Sequence, residues 1–151
     1  MLHMGSKLKR TRQTILAWKQ YSDENNLCLV RGIHGYDSRF GSDEIFEQFT
    51  KDPNIVAAAK ASNWWQACQH YNPGLIESTQ SAMIEALHKA FEFAEEDMIV
   101  VMAGHTPMIE WLAYAFDPYE TISRDTKLAE LTGFIFTEDN GKIEVTGTVG
   151  F

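Results

Sequence analysis

The sequence predicts an α/β fold, a mainly parallel sheet flanked by helices and closed by a C-terminal antiparallel hairpin, and three observations carry that prediction. Met98-Ile99-Val100-Val101-Met102-Ala103 is a continuous apolar run of strand length between two helical segments, the pattern of a central parallel strand covered on both faces. Leu75 to Ala94 places Ile76, Met83, Ile84, Leu87, Phe91 and Ala94 at a helical period, with Glu85, Lys89, Glu92 and Glu96 on the other side. Asp139-Asn140-Gly141 joins two β-rich runs, a strong hairpin signal.

Lys9 to Tyr21 reads as a helix, with Ile15, Leu16 and Trp18 near one face, Ser6 as N-cap and Ser22-Asp23-Glu24-Asn25-Asn26 as a polar stop. Leu27 to Arg31 reads as a short buried strand. Gly32, Gly35 and Gly41 mark a loop before a short helix at Asp43 to Phe49. Asp52-Pro53 opens a helix to about Tyr71, which Asn72-Pro73-Gly74 breaks before the long helix begins. After the apolar strand, Gly104-His105-Thr106-Pro107 turns into a helix over Met108 to Phe116. Thr132 to Thr137 and Lys142 to Thr148 are the two final strands.

At 151 residues the chain is close to the modal domain size, so a single domain is expected. Apolar residues make up 44% and charged residues 23%, which excludes disordered, collagenous and disulfide-knotted classes. Thirteen Lys and Arg against 21 Asp and Glu give a net charge of -8, too acidic for a protein that coats nucleic acid or an anionic membrane. Yet Lys7, Lys9, Arg10, Arg12 and Lys19 precede any acidic residue, a basic island suited to a phosphate. Cys28 and Cys68 lie in apolar surroundings without CxxC spacing, as buried thiols of a reducing compartment do. With no membrane-length apolar run and no signal-peptide core, a cytoplasmic location is expected.

Ligands of open α/β sheets bind at the carboxyl ends of strands, and two strand-to-helix junctions here carry chemistry. One is Ser6-Lys7-Leu8-Lys9-Arg10-Thr11-Arg12-Gln13-Thr14, where cations and hydroxyls meet a helix N-terminus. The other is Gly104-His105-Thr106-Pro107, where an imidazole leaves the strand and the Thr106 N–H opens the next helix. An arginine fork matches phosphate geometry and a histidine adds a further donor.

These two junctions resemble motifs of the histidine phosphatase (phosphoglycerate mutase-like) superfamily. Ser6-x-Leu8-x-Arg10-Thr11-x-Gln13-Thr14 is similar to its second motif, and Ile99 to Pro107 to its late strand ending in the second active-site histidine. Pro73-Gly74-Leu75-Ile76-Glu77-Ser78 looks like its Gly-Glu-Ser element with the Gly displaced. The resemblance implies a three-layer α/β/α fold and phosphomonoester hydrolysis or mutase chemistry through a phosphohistidine. It further implies Arg10 and His105 as catalytic and phosphate-binding residues, the Thr106 N–H as a third phosphate donor, and a phosphorylated small molecule or phosphoprotein as partner. No cofactor is expected.

The family's nucleophile sits in an Arg-His-Gly motif ending a first strand, and only Met1 to Gly5 precede Ser6 here. The expectation is therefore an N-terminally truncated domain, a hydrolase by resemblance that is inactive as this isolated chain, with Leu2-His3-Met4-Gly5 as the remainder of the second strand. The family strand would lie between the strand before Arg10 and the strand before His105. Its loss would leave facing open edges, to be filled by Leu27 to Arg31 or by a second copy in a homodimer. Leu29-Val30-Arg31-Gly32-Ile33-His34-Gly35 has the composition of that motif but follows Arg10 and spaces its Arg and His differently. It falls where the family places its acid, for which His34 or Asp37 would stand in; Glu77 is the remaining candidate acid. The simpler readings are a solvated Arg10 and Arg12, a capping His105, Glu77 as a helix-start carboxylate and Trp64-Trp65 as packing. The second functional reading is a non-catalytic phosphate-binding or interaction module that retains Arg10 and His105. His3, His70 and His88 have no metal spacing, so no metal is expected.

Overall fold

The computed structural model describes residues 2–5, 8–24, 33–36, 38–94, 99–125, 128–130 and 132–150, with backbone alone at 2–5, 22–23, 33–36 and 38. The fold is mixed helix and strand. In chain order the elements are β1 (Leu2–Gly5), α1 (Lys9–Glu24), β2 (Ile33–Tyr36), a 3-10 turn (Ser38–Phe40), α2 (Asp43–Thr50), α3 (Pro53–Ala61), α4 (Trp64–Tyr71), α5 (Pro73–Phe93), β3 (Val100–Ala103), α6 (Met108–Ala115), β4 (Gly133–Asp139) and β5 (Lys142–Val149). They group into two compact units, Met1–Phe46 with Met83–His105, and Glu47–Ala82 with Thr106–Phe151.

The first unit holds a three-stranded sheet in the order β2-β1-β3. β1 pairs in parallel with β2, and with β3 in the register Leu2↔Val100 through Gly5↔Ala103. This corrects one expectation: the strand before Arg10 and the strand before His105 are hydrogen-bonded directly, so no slot for a further strand lies between them. It corrects another as well. Among the described residues β1 is the central strand and β3 lies at an edge, which is why the run that reads as fully covered is only half-buried at all four residues. The expected strand at Leu27 to Arg31, the cap Ser6, Cys28 and Asp37 lie outside the described residues; β2 forms later, in the stretch read as a loop.

Helix α1 packs on β1 and β3. It turns Thr11 and Ile15 inward, four residues apart, while Arg10, Arg12 and Leu16 stay exposed. The later part of α5 buries Met83, Ala86, Leu87 and Ala90, an i, i+3, i+4, i+7 stripe, and Val100 and Met102 of β3 pack against Ala90. Arg39 and Lys89 both bridge Glu85 on the outer face, at 2.9 Å each.

The second unit is built on helices and a hairpin. The helix expected from Asp52 to Tyr71 is two helices. Ser62 ends α3 by donating its N–H to the Ala58 carbonyl, and Asn63 restarts the chain as the cap of α4, accepting from the Gln66 N–H at 2.8 Å. Asp52 caps α3 in the same way, accepting from the Asn54 N–H at 2.8 Å ahead of Pro53 at the first turn. α6 is the apolar element, with Met108, Trp111, Leu112, Ala113 and Tyr114 all buried. Edge-to-face rings run from Trp64 to Phe49, from Phe49 to Trp111, and on through Trp65 to Tyr114, with centroids 5.1–6.1 Å apart. β4 and β5 pair antiparallel through Asn140 (φ 51°) and Gly141 (φ 82°), the left-handed pair that a tight hairpin turn requires.

Candidate functional site

Among the described residues two places gather polar chemistry, one in each unit. In the first unit, α1 opens with Lys9, Arg10 and Arg12 and no acidic residue in its first turn, although the helix dipole there favours negative charge. Local preference is set aside at that helix end, a pattern common where an anion supplies the missing charge.

Arg10 and His105, far apart in sequence, meet here. They follow β1 and β3, neighbouring parallel strands whose carboxyl ends share one sheet edge. The Arg10 Nε donates to His105 Nδ1 at 3.2 Å, and Thr11 Oγ1 lies 2.6 Å from His105 Nε2. Because Nδ1 accepts, the ring proton of a neutral imidazole must sit on Nε2 and be given to the Thr11 oxygen. Burial, and then the neighbouring Arg10 charge, push the His105 pKa down to about 4, so the ring is neutral at physiological pH. Phe46 of α2 closes the corner: it meets the His105 ring edge-on at 5.5 Å and lies 5.9 Å from the Arg10 guanidinium carbon. Both Nη groups of Arg10 are without a hydrogen-bond partner among the described residues. They border an open groove of about 520 Å³ lined by Leu8, Lys9, Arg10, Gln13, Asp43 and Phe46. The arrangement can hold an oxyanion through the arginine fork, with a fixed, uncharged imidazole beside it.

The other expected residues are elsewhere or outside view. Glu77 is exposed near the start of α5. Thr106 is exposed and lines the cleft of the second unit. Only the backbone of His34 is described, in β2. Thr11 and Phe46 are the residues of this corner that sequence reasoning gave no role. Thr11 carried a readable signal, as a hydroxyl beside Arg10 in the first helical turn; Phe46 carried none, since its contact depends on how α2 is placed.

In the second unit, a cleft of about 320 Å³ is walled by Trp64, Trp65, Trp111 and Tyr114 and reached by Glu110 and Arg124. Glu110 is 4% exposed. Its Oε1 accepts from the Leu128 N–H at 3.3 Å, and its buried Oε2 has no hydrogen-bond partner among the described residues. Burial raises the Glu110 carboxyl above the usual carboxylate range, against the opposing pull of the Glu110 and Leu128 N–H groups. Arg124 stacks over Tyr114 at 4.5 Å and Trp65 at 5.7 Å, and reaches Asp117 at 3.4 Å. Asp117 also accepts from the Thr121 N–H, the Thr121 hydroxyl and the Ile122 N–H at 2.6–2.9 Å. Desolvation opposes these bonds, but together they hold its carboxyl below its ordinary value.

Cys68 is fully buried with a free thiol, which burial pushes up to about 11. Among the described residues no group of three or more His, Cys, Asp or Glu is placed to hold a metal ion, and no helix is long and apolar enough to cross a membrane. No known protein family, curated protein or solved structure matches this chain.

Proposed function

We propose that Arg10, Thr11 and His105 form the phosphate-holding part of a histidine phosphatase-like phosphoryl-transfer centre, whose partner is a phosphorylated small molecule or phosphoprotein. One observation carries this reading above the others, the 3.2 Å contact between Arg10 and His105 across two adjacent parallel strand ends. In this reading the Arg10 Nη groups grip two phosphate oxygens, and the His105 Nε2–H turns from Thr11 to a third. The three-layer α/β/α architecture, the cytoplasmic setting and pairing of two copies through strand edges belong to the same proposal.

A second reading, a phosphate-binding module without catalysis, is favoured by the state of His105 itself. The single in-plane lone pair of the neutral ring, on Nδ1, accepts from Arg10, and Nε2 carries the proton given to Thr11, so no lone pair is directed at a phosphorus atom. Calorimetric titration with inorganic phosphate, beside hydrolysis of p-nitrophenyl phosphate, tests both readings. Phosphate should bind the wild type, and Arg10→Ala should weaken it about tenfold or more, as loss of a charge-assisted bidentate pair does. Hydrolysis by this chain should stay at background. Phosphate binding unchanged in Arg10→Ala would remove the site, whereas turnover abolished by His34→Ala would make the segment around His34 the nucleophile.

A further inference from the structure

We propose that the aromatic cleft of the second unit binds a small organic cation bearing N–H donors, an alkylguanidinium or alkylammonium, with Glu110 as its carboxylate partner. The proposal stands on the second unit alone and is independent of the phosphate site.

The cleft's 320 Å³ is at the lower end of the range for small-molecule pockets. Buried polar atoms in proteins are nearly always hydrogen-bonded, and an unpaired one is costly. Among the described residues Glu110 Oε2 is such an atom, on a residue that lines the cleft and is anchored by its other oxygen to the Leu128 N–H. What a carboxylate oxygen lacks is a donor. The surrounding rings supply the second element of cation recognition, since indole and phenol faces attract positive charge. The chain already uses them so, with its own Arg124 lying over Tyr114 and Trp65.

Charge around the cleft decides the sign of the ligand. Arg124 is paired with Asp117, and Asp125, held by the side-chain amides of Asn63 and Gln66, adds a further carboxylate. Among the described residues, three carboxyl groups thus accompany one guanidinium. The Tyr114 hydroxyl registers the balance: beyond its burial, Glu110 and Asp125 push its pKa up while Arg124 pulls it down. A second positive charge is favoured there over an anion. It would hold Glu110 ionised, so binding releases a proton wherever the free carboxyl is protonated, and affinity rises with pH.

Calorimetric titration of the full chain with n-butylguanidinium and n-butylammonium tests this, with tetraethylammonium and n-butyrate as controls. The two N–H cations should bind saturably, accompanied by proton release and by quenching of tryptophan fluorescence. Glu110→Gln, which keeps shape and the Leu128 bond, should weaken them by about tenfold or more and abolish the pH dependence. Tetraethylammonium, which cannot donate to Oε2, should bind more weakly. Absence of saturable cation binding, equal affinity in Glu110→Gln, or preference for n-butyrate overturns the proposal. Should Glu110→Gln fail to fold, the wild type still decides: affinity that is flat with pH and free of proton release excludes Glu110 as the partner.

Discussion

His105 in the first unit and Glu110 in the second are both driven by burial toward their uncharged forms, one by a fall in pKa and the other by a rise. Their surroundings then diverge. The neutral imidazole is satisfied by Arg10 and Thr11 beside an open groove, while the carboxyl keeps an unpaired oxygen among aromatic rings. Desolvation sets the charge state of a group; its partners determine what remains for a ligand to complete. At the Arg10 corner the unspent groups are arginine donors, which suit an anion, and in the aromatic cleft the unspent group is a carboxyl oxygen, an acceptor once the group is ionised, which suits a cation.

The sharpest way to separate the two regions is stability. Trp111 is 1% exposed and touches Phe49 and Trp65, so Trp111→Ala should cost about 3–5 kcal/mol in urea denaturation. His105→Ala should cost less, about 1–2 kcal/mol for its hydrogen bonds and ring contact. Equal losses would make the His105 corner a structural core rather than a site.

Next in size is the pH response. The folded His105 pKa, about 4, lies below its ordinary 6.5, so between those values the unfolded chain binds the proton and the folded one does not. Stability from this group is full above pH 6.5 and declines as pH falls toward 4, by at most about 3 kcal/mol. A His105→Gln variant should lack that decline when denaturation is followed across the same range. In Arg10→Ala the His105 titration, read by NMR of its ring protons, should move up from about 4.

Glu110 should respond with the opposite sign. Its raised pKa means that the unfolded chain loses its proton first, so its stabilising contribution is present at acid pH and lost as pH rises through the folded value. Glu110→Gln should therefore gain on the wild type as pH rises, and a parallel pH course for the two proteins would refute a raised carboxyl pKa at Glu110. The smallest effect concerns the rim of the cleft. Asn63→Ala removes the α4 cap and the contact to Asp125, for about 1 kcal/mol in thermal denaturation, with little change at the Arg10 corner.

How much of this was readable in the residues depends on where the information resides. Helices α1, α2, α5 and α6 and the final hairpin follow from local periodicity and turn chemistry, and the Asn140-Gly141 turn adopts the backbone its residues favour. The break at Ser62-Asn63 is hidden in the sequence because two helices packed together continue the same apolar composition, and only the Asn63 cap marks the restart. Val100 to Ala103 shows how an apolar run fixes strand type but not strand position: which neighbour it pairs with is a long-range matter. Arg10 and His105 were nameable because each stands at a strand-to-helix junction. The cleft was not, because Glu110 in the first turn of α6 reads as a helix-start carboxylate until the fold brings the Leu128 N–H to it in a cleft lined by Trp65 and Tyr114.

The parallel pairing of Leu2 with Val100 has a consequence in time. The hairpin at Asn140-Gly141 closes within its own few residues, an event of about 1–10 μs, whereas the ladder between β1 and β3 closes across nearly the whole intervening chain. During synthesis, at about 5–20 residues per second, β1 waits several seconds for its β3 partner to emerge. Thr11 and Arg10 are made early and His105 follows 94 residues after Thr11, so the corner they share can close only after α1 to α5 have been synthesised, while α6 and the final hairpin are still to come.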